Sequence, residues 1–227
     1  MPYSNEKKIV VVARDSPLSQ VQVKEVYEEI KNYYPNILFE EVFIKTTGDY
    51  DLKTSLRNIS RTDFFTKEID QYLLLGKADI GIHSAKDLPE PLPSGLAIIA
   101  LTKGVDPSDS LVFRQGDSLE SIQSGAKIAT SSERRENVVK MLRPDLTFVD
   151  IRGTIHQRLE KLDSGQVDGV VIAEAALIRL KLTHLNRKRL PGSTAEGQGQ
   201  LAIVAISDNQ QMADFFKFID CRVYNSV

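Results

Sequence analysis

The 227-residue sequence contains few of the residues from which disulfide frameworks and metal sites are built. It has a single cysteine, Cys221, and only three histidines, His83, His156 and His184, which lie far apart. One cysteine excludes an intramolecular disulfide and is typical of a reducing compartment. Scattered histidines do not provide the ligand spacing of a structural zinc site, so we expect no metal.

Long hydrophobic runs and glycine-rich phosphate motifs are also missing. The first apolar run, Ile9–Ala13, is too short for a signal peptide or a membrane span. Neither G-x-x-x-x-G-K-[ST] nor G-x-G-x-x-G occurs. Apolar residues make up 41% of the chain and charged residues 26%, as in ordinary soluble proteins. We therefore expect a soluble cytoplasmic protein that does not act at a membrane.

The charge of the chain is unevenly distributed. Lys127–Arg189 contains 13 Lys and Arg against 8 Asp and Glu, whereas the whole chain has a net charge of −2. A basic segment in an acidic chain predicts an anionic partner. Nucleic acid and a small polycarboxylate or phosphate are both candidates at this point.

Short apolar segments alternate with amphipathic ones in a way that predicts an α/β protein. In the first part we expect strands at 8–13, 38–46, 78–82 and 96–101, with helices at 17–34 and 64–75. This order predicts a parallel sheet with right-handed crossovers. Ser16 and Pro17 form a helix-start signal.

A second series of elements follows. We expect strands at 110–113, 127–130, 147–151 and 169–173, helices at 118–122, 131–141, 154–163 and 174–180, and an exposed loop at 187–189. A last strand at 201–206 and a helix at 209–222 are too little for a domain, so they should join the first sheet. Lobe 1 is then 1–102 plus 198–227 and lobe 2 is 110–190, with hinge crossings at about 103–109 and 191–197. Two crossings predict a hinge and a ligand cleft.

Polar side chains gather where the predicted strands end and helices begin. Helix N-termini, hydroxyls and guanidinium groups together suit carboxylates or phosphates. Any one arginine is more often a solvated surface charge, but five at equivalent junctions favour a site. The candidates are Arg14, Ser16, Ser84, Lys86 and Asp87 in lobe 1, and Thr130, Ser131, Ser132, Arg134, Arg135, Arg152, Gly153 and Arg158 in lobe 2.

These residues lie in motifs that resemble those of the porphobilinogen deaminases, also called hydroxymethylbilane synthases. The resemblance runs in order from about Ile9 to Ile206. The motifs are Ala13-Arg14 with Ser16-Pro17-Leu18, Thr47-Gly48-Asp49, Phe65-Thr66-Lys67-Glu68, Ala78-Asp79-Ile80 with His83-Ser84 and Lys86-Asp87, Thr130-Ser131-Ser132 with Arg134-Arg135, Ile151-Arg152-Gly153, Arg158-Leu159 with Lys161-Leu162-Asp163, and Gly197-Gln198-Gly199.

The resemblance implies a transferase of heme and porphyrin biosynthesis. Such an enzyme joins four porphobilinogen units into the linear tetrapyrrole hydroxymethylbilane, releases ammonia at each step, and builds on a dipyrromethane cofactor. The implied fold has two lobes like a type II periplasmic binding protein. The implied partners are porphobilinogen and linear oligopyrroles rather than nucleic acid or a membrane, and we expect a monomer.

The resemblance also implies a role for each candidate residue. Asp87 would be catalytic, because its carboxylate can stabilise the positive charge that develops on a pyrrole as ammonia leaves. The other candidates would bind the acetate and propionate groups of substrate and cofactor, with Lys86 and the arginines supplying charge and Ser84 and Ser132 assisting.

The family carries a third small α/β domain with a loop cysteine that holds the dipyrromethane. The sequence ends at Val227, so we expect that domain to be absent. The dipyrromethane could then be held without a covalent bond, through Cys221, or with a partner that replaces the missing domain.

Two other functions remain as alternatives. One is a two-lobed binding protein that holds a polycarboxylate pyrrole ligand without converting it. The other is a nucleic-acid binder that uses the basic half. The basic residues lack interleaved aromatics, which argues against stacking on single strands.

Overall fold

A computed structural model describes residues 7–55, 57 and 62–224 of the chain. The chain divides into two compact units. The first comprises Met1–Tyr50, Arg61–Val105 and Gln200–Val227, and the second comprises Asp51–Ser60 and Asp106–Gly199. Within the described ranges, no helix combines the length and apolar character needed to cross a membrane.

Ten strands and eight α-helices make up the described part of the chain. The strands are β1 (Lys7–Arg14), β2 (Ile37–Ile44), β3 (Ile80–Ser84), β4 (Leu96–Leu101), β5 (Asp109–Phe113), β6 (Lys127–Ala129), β7 (Thr147–Val149), β8 (Gly169–Ala173), β9 (Arg187–Arg189) and β10 (Leu201–Ile206). The helices are α1 (Pro17–Lys31), α2 (Thr47–Tyr50), α3 (Lys67–Leu74), α4 (Glu133–Leu142), α5 (Ile155–Asp163), α6 (Glu174–Arg179), α7 (Gln210–Phe216) and α8 (Cys221–Tyr224).

The first unit contains a five-stranded sheet in the order β2-β1-β3-β10-β4. The strands β2, β1 and β3 are parallel, as predicted, and β10 runs antiparallel to both β3 and β4. Side chains alternate along β1, so Val11 packs with residues of α1 and α7 while Val12 packs with residues of α3. The prediction that the last strand joins the first sheet is confirmed.

The second unit contains a five-stranded sheet in the order β7-β6-β8-β5-β9. Here β7, β6 and β8 are parallel, whereas β5 is antiparallel to β8 and β9. On one face Ile128 and Val171 pack against Val139 of α4. The strand β8 is buried along its whole length, as expected of a central strand.

Two local predictions for the second unit are wrong. The expected helix at 118–122 is a turn, because Ser118 and Ser121 bond each other's backbone and hydroxyl groups and compete with helical bonding. The expected loop at Arg187–Arg189 is the edge strand β9, paired with β5. Its charged side chains are held by carboxylates, which is why a basic run can form a strand here.

The helices of the first unit are shorter than predicted. The first ends at Lys31 rather than Tyr34, although Ser16 caps it as expected by accepting from Ser19 N at 3.2 Å. The third begins at Lys67, after a 3-10 turn at Asp63–Phe65. The expected final helix is interrupted at Asp220, whose carboxylate accepts bonds from Leu101 N at 3.1 Å and from the Arg222 side chain.

The grouping of one segment differs from the sequence expectation. Asp51–Ser60 belongs to the second unit and not to the range 1–102 expected for lobe 1. The described residues show the reason: Arg152 donates to Thr54 O at 2.7 Å and to Asp51 O at 2.9 Å. In addition, Arg57 forms a 2.9 Å ion pair with Glu136.

A buried glutamate secures the edge strand of the second sheet. The side chain of Glu174 is fully buried and accepts from the Ser110 hydroxyl at 2.5 Å and from Arg187 Nη2 at 2.7 Å. The hydrogen bonds from Arg187 lower the pKa of Glu174 and outweigh the opposing effect of burial. A charged pair in this setting holds β9 against the rest of the unit.

Replacing Glu174 with alanine should lower the free energy of unfolding by about 3 kcal/mol, because the Arg187 guanidinium loses its buried partner. Glu120→Ala is the matched control: Glu120 pairs with Lys188 of the same strand, but its side chain is 69% exposed. Exposed pairs contribute little to stability. Urea unfolding at neutral pH measures both variants, and equal losses would contradict the assignment.

Two of the ionisable side chains buried in the first unit, His83 and Asp70, have pKa values shifted towards the neutral form. Burial lowers the pKa of His83, on β3, to about 4. Burial also raises the pKa of Asp70, on α3, to about 6, even though the Thr66 hydroxyl donates to its carboxylate at 2.8 Å. Within the described residues, His83 Nε2 and Asp70 Oδ1 have no hydrogen-bond partner. Both side chains are therefore neutral in the folded protein near pH 5.

These two shifts should oppose each other as the pH falls. Between about pH 6.5 and 4 the unfolded chain protonates His83 and the folded chain does not, so acid destabilises the fold. Between about pH 6 and 3.8 the folded chain protonates Asp70 and the unfolded chain does not, so acid stabilises it. Between pH 6.5 and 4 the free energy of unfolding of Asp70→Asn should therefore fall by roughly 2 kcal/mol more than that of the wild type. Urea unfolding across this pH range measures the free energy of unfolding of both proteins. If the two curves run parallel with pH, the pKa of Asp70 is not raised by folding.

Candidate functional site

The predicted site residues of the first unit lie at one edge of its sheet. Arg14 ends β1 and Ser84 ends β3, and these strands are parallel neighbours, so their carboxyl ends lie side by side. Lys86 and Asp87 follow in the 3-10 turn Ala85–Asp87. Loops at this edge of parallel strands are the usual place for ligands in α/β folds.

The Arg14 side chain is held in a fixed orientation. Its Nε donates to Asp49 Oδ1 at 2.7 Å, and its guanidinium carbon lies 4.5 Å from the centre of the Phe65 ring. Burial raises the pKa of Asp49, but bonds from Arg14 and Thr46 lower it further, so the carboxylate stays charged. A Cβ at Gly48 would lie 2.2 Å from the Phe65 ring, which explains the glycine before Asp49.

The two serines of this edge have internal partners. Ser16 is buried and acts as the N-cap of α1, so its hydroxyl supports the helix. Ser84 Oγ accepts from Gln22 Nε2 at 2.8 Å. Gln22 was missed by the sequence analysis; a polar residue on the otherwise apolar face of α1, beside Val23 and Val26, is the signal that could have identified it.

Asp87 is an exposed carboxylate at this edge. The turn that carries it is fixed by its backbone, since Ala85 N donates to Gln200 O at 3.0 Å and Leu88, the next residue, is buried. Among the residues that the structure describes, none donates a hydrogen bond to the Asp87 carboxylate or pairs with it. Its side chain is therefore open to an incoming group.

The hydroxyl residues of the second unit follow β6. Thr130 is buried, and its Oγ1 accepts from Ser132 N at 3.2 Å. Ser131 Oγ donates to Asp150 and to Ile151 O, which connects the ends of β6 and β7. Ser132 is the N-cap of α4 and accepts from Arg135 N at 3.4 Å. The structure thus brings Thr130, Ser131 and Ser132 together at one sheet edge, as predicted.

Arg134 and Arg135 both bond a buried carboxylate that the sequence analysis did not single out. Arg134 Nη2 donates to Asp109 Oδ2 at 2.6 Å, and Arg135 Nη2 donates to Asp109 Oδ1 at 2.6 Å. Arg134 Nη1 also donates to Ser193 O at 2.8 Å. Asp109 was assigned to a hinge; its position immediately before an apolar strand is the signal that could have identified it as a buried anion.

Arg152, Gly153 and Arg158 follow β7. Arg152 is buried and donates to two backbone carbonyls of the segment 51–54. Gly153 has a φ of +99°, which a residue with a side chain rarely adopts, and a Cβ there would lie 2.6 Å from Gln157 Oε1. Arg158 Nε donates to Gly153 O at 2.9 Å, so the loop and α5 hold each other in place.

Cys221 lies in the first unit at the start of α8. It is half-buried, and Gln200 Nε2 lies 3.4 Å from its sulfur. The thiol therefore contacts the strand region that precedes β10.

Comparison with known proteins identifies the family. Residues 9–214 match the model of "Porphobilinogen deaminase, dipyromethane cofactor binding domain". The chain is 39% identical over 217 residues to a porphobilinogen deaminase of Desulforudis audaxviator, which covers 94% of this chain and 70% of that protein. It is 36% identical over 225 residues to the enzyme of Neisseria meningitidis serogroup B, covering 98% and 72%. The chain thus spans about seven-tenths of these relatives.

Solved structures share the fold at low identity. The periplasmic VFT2 domain of Bordetella pertussis BvgS gives a TM-score of 0.56 at 12% identity, covering 98% of this chain and 89% of that one. The probable amino-acid ABC transporter extracellular-binding protein ytmK of Bacillus subtilis gives 0.55 at 13% identity, covering 97% and 93%. The predicted periplasmic-binding-protein-like α/β fold is thereby confirmed. Because that family model matches residues 9–214 of the 227, the chain belongs to the porphobilinogen deaminase family.

Proposed function

We propose that this protein joins four porphobilinogen units head to tail into hydroxymethylbilane and releases ammonia at each step. The observation that carries the proposal is Asp87, an exposed carboxylate without a bonded partner in the described residues, on a turn fixed at the end of β3. The family match supports the reaction class, a transfer in porphyrin biosynthesis.

The chemistry of the substrate assigns the step in which Asp87 acts. As ammonia leaves, positive charge develops on the pyrrole ring of the substrate, and a nearby carboxylate stabilises that charge. The Asp87 carboxylate can also accept the proton that the pyrrole loses when the next bond has formed. A side chain tied into an ion pair would be less available for both tasks.

The remaining candidates bind carboxylates in this proposal. Each porphobilinogen carries an acetate and a propionate, and guanidinium groups recognise carboxylates through paired N–H donors. The preset orientation of Arg14 supports such a role, since its guanidinium is fixed by Asp49 and Phe65 before any ligand arrives. Ser84, Lys86, Arg152 and Arg158 complete the proposed set.

The donor groups of the second unit fit the dipyrromethane cofactor, which is itself an acetate- and propionate-bearing pyrrole pair. Arg135 Nε is buried and has no hydrogen-bond partner within the described residues, so this part of the unit carries donor capacity beyond its internal bonds. Arg134, Arg135 and the hydroxyl residues Thr130–Ser132 would hold carboxylates of the cofactor and of the substrate units that join it. The bound cofactor supplies the pyrrole carbon to which the first substrate unit is joined.

Replacing Asp87 with alanine should reduce ammonia release from porphobilinogen at least a hundredfold, because the developing charge loses its stabilising carboxylate. Asp208→Ala is the matched control, since Asp208 is an exposed carboxylate of the same unit in the turn after β10. It should leave the rate unchanged. Ammonia and product are measured with purified protein supplied with a preformed tetrapyrrole primer.

The same assay separates the alternatives. A wild-type protein that never consumes porphobilinogen under these conditions is not a deaminase. If porphobilinogen then raises the melting temperature without ammonia release, the chain is a pyrrole-binding protein. Equal rates for the wild type and Asp87→Ala would remove the catalytic role from Asp87.

We further propose that the cofactor is held without a covalent bond to Cys221. The thiol is half-buried and contacts Gln200, and a thioether bond would require this contact to break. Intact mass under denaturing conditions should therefore equal the mass of the chain, whereas native mass spectrometry should retain a dipyrromethane. A mass increase that survives denaturation and disappears in Cys221→Ser would assign the anchor to Cys221.

A further inference from the structure

We propose that Asp109 is a positioning residue that sets the orientation of Arg134 and Arg135 for carboxylate binding. This inference rests on the proposed function, which assigns the two arginines to substrate and cofactor carboxylates. Asp109 is not among the predicted site residues. As an anion it does not attract a ligand carboxylate itself. Its role is to act through the two guanidinium groups that it bonds.

The geometry divides the Asp109 carboxylate between three donors. Oδ2 accepts from Arg134 and Oδ1 accepts from Arg135, both at 2.6 Å, and Oδ1 also accepts from Gln198 Nε2 at 2.9 Å. We call these four residues the Asp109 network. Each arginine uses one terminal nitrogen towards Asp109, so one carboxylate helps to direct both guanidinium planes, and Ser193 O also bonds Arg134.

The backbone conformation on either side of Gln198 directs the Gln198 side chain into the Asp109 network. Gly197 and Gly199 have φ values of +69° and +92°, in the region that favours glycine. Gln198 is 4% exposed, and its amide also donates to Pro107 O at 2.5 Å. The motif Gly197-Gln198-Gly199 is too short to be a phosphate loop. In the structure it bonds the segment before β5 through Gln198.

Burial strengthens the ion pairs between Asp109 and the two arginines. Asp109 is 2% exposed, and the Arg135 side chain is 13% exposed. Burial raises the pKa of Asp109, but the charges and bonds of Arg135 and Arg134 lower it further, so the carboxylate is ionised. Two guanidinium cations share one anion, and one positive charge remains to attract a ligand carboxylate.

A purely structural role for Asp109 would have different consequences. If it only stabilised the start of β5, its loss would lower the melting temperature and leave the ligand affinity of the folded protein intact. A positioning role requires that affinity fall even where the protein remains folded, because misdirected guanidinium groups lose paired bonding to carboxylates.

The test replaces Asp109 with asparagine, which keeps the side-chain shape and removes the charge. We expect the Kd for porphobilinogen, measured by calorimetry, and its KM in the ammonia assay to rise at least tenfold, with kcat changed less than threefold. In nitrogen-15 NMR spectra, the guanidinium signals of Arg134 and Arg135 should show slower rotation in the wild type than in Asp109→Asn.

Asp145→Asn serves as the control, and Asp109→Glu is a second variant for the case in which Asp109→Asn does not fold. Asp145→Asn removes an equivalent partner from Arg143, which it bonds at 2.8 Å on the surface of the same unit, and should change neither affinity nor the two guanidinium signals. If Asp109→Asn fails to fold, Asp109→Glu restores the charge but displaces the carboxylate by about 1 Å. Positioning predicts that this variant is folded and still binds at least tenfold more weakly.

Two results would overturn the proposal. One is unchanged affinity in a folded Asp109→Asn or Asp109→Glu protein. The other is guanidinium rotation that is as slow in Asp109→Asn as in the wild type. A wild-type protein that binds no porphobilinogen would instead remove the proposed function, and the NMR comparison would still decide whether Asp109 orients the two arginines.

Discussion

The ion pairs of the buried Asp109 carboxylate with Arg134 and Arg135 hold together the arginine-rich part of the second unit. Removing a carboxylate from water costs several kcal/mol unless charge and hydrogen bonds compensate. Here both oxygens are bonded, by Arg134, Arg135 and Gln198. Because Gln198 lies 89 residues from Asp109 in sequence, the network joins β5, the start of α4 and the segment before β10. Under the proposed function, the fold thereby orients both arginines before a ligand binds.

Arg14 and Asp87, two candidate site residues of the first unit, are held in different ways. Arg14 is fixed between Asp49 and the ring of Phe65, whereas Asp87 is exposed on a turn held by a backbone hydrogen bond of Ala85 and by the buried Leu88. This difference suits the tasks proposed for them. A group that recognises a carboxylate gains from a preset orientation. A group that must accept a proton or oppose a developing charge has to keep its carboxylate available.

Much of the fold could be predicted from local sequence patterns. Apolar segments gave the strands of both sheets, and the Ser16-Pro17 pair correctly marked the start of α1. The failures were places where a side chain from elsewhere decides the backbone. Asp220 ends a helix because Leu101 and Arg222 bond it, and the basic run Arg187–Arg189 becomes a strand because carboxylates such as Glu174 neutralise it.

The sequence by itself determined which chemical groups stand at the strand ends, because residue type and spacing along parallel strands are local properties. It placed Arg14 and Ser84 at one sheet edge and Thr130–Ser132 at another, and the motifs pointed to the family. Only the tertiary structure decided which of these groups are already bonded within the protein. Asp109 and Gln22 contact the candidates from distant positions in the chain, and hydrogen bonds across such separations form only when the sheets have assembled.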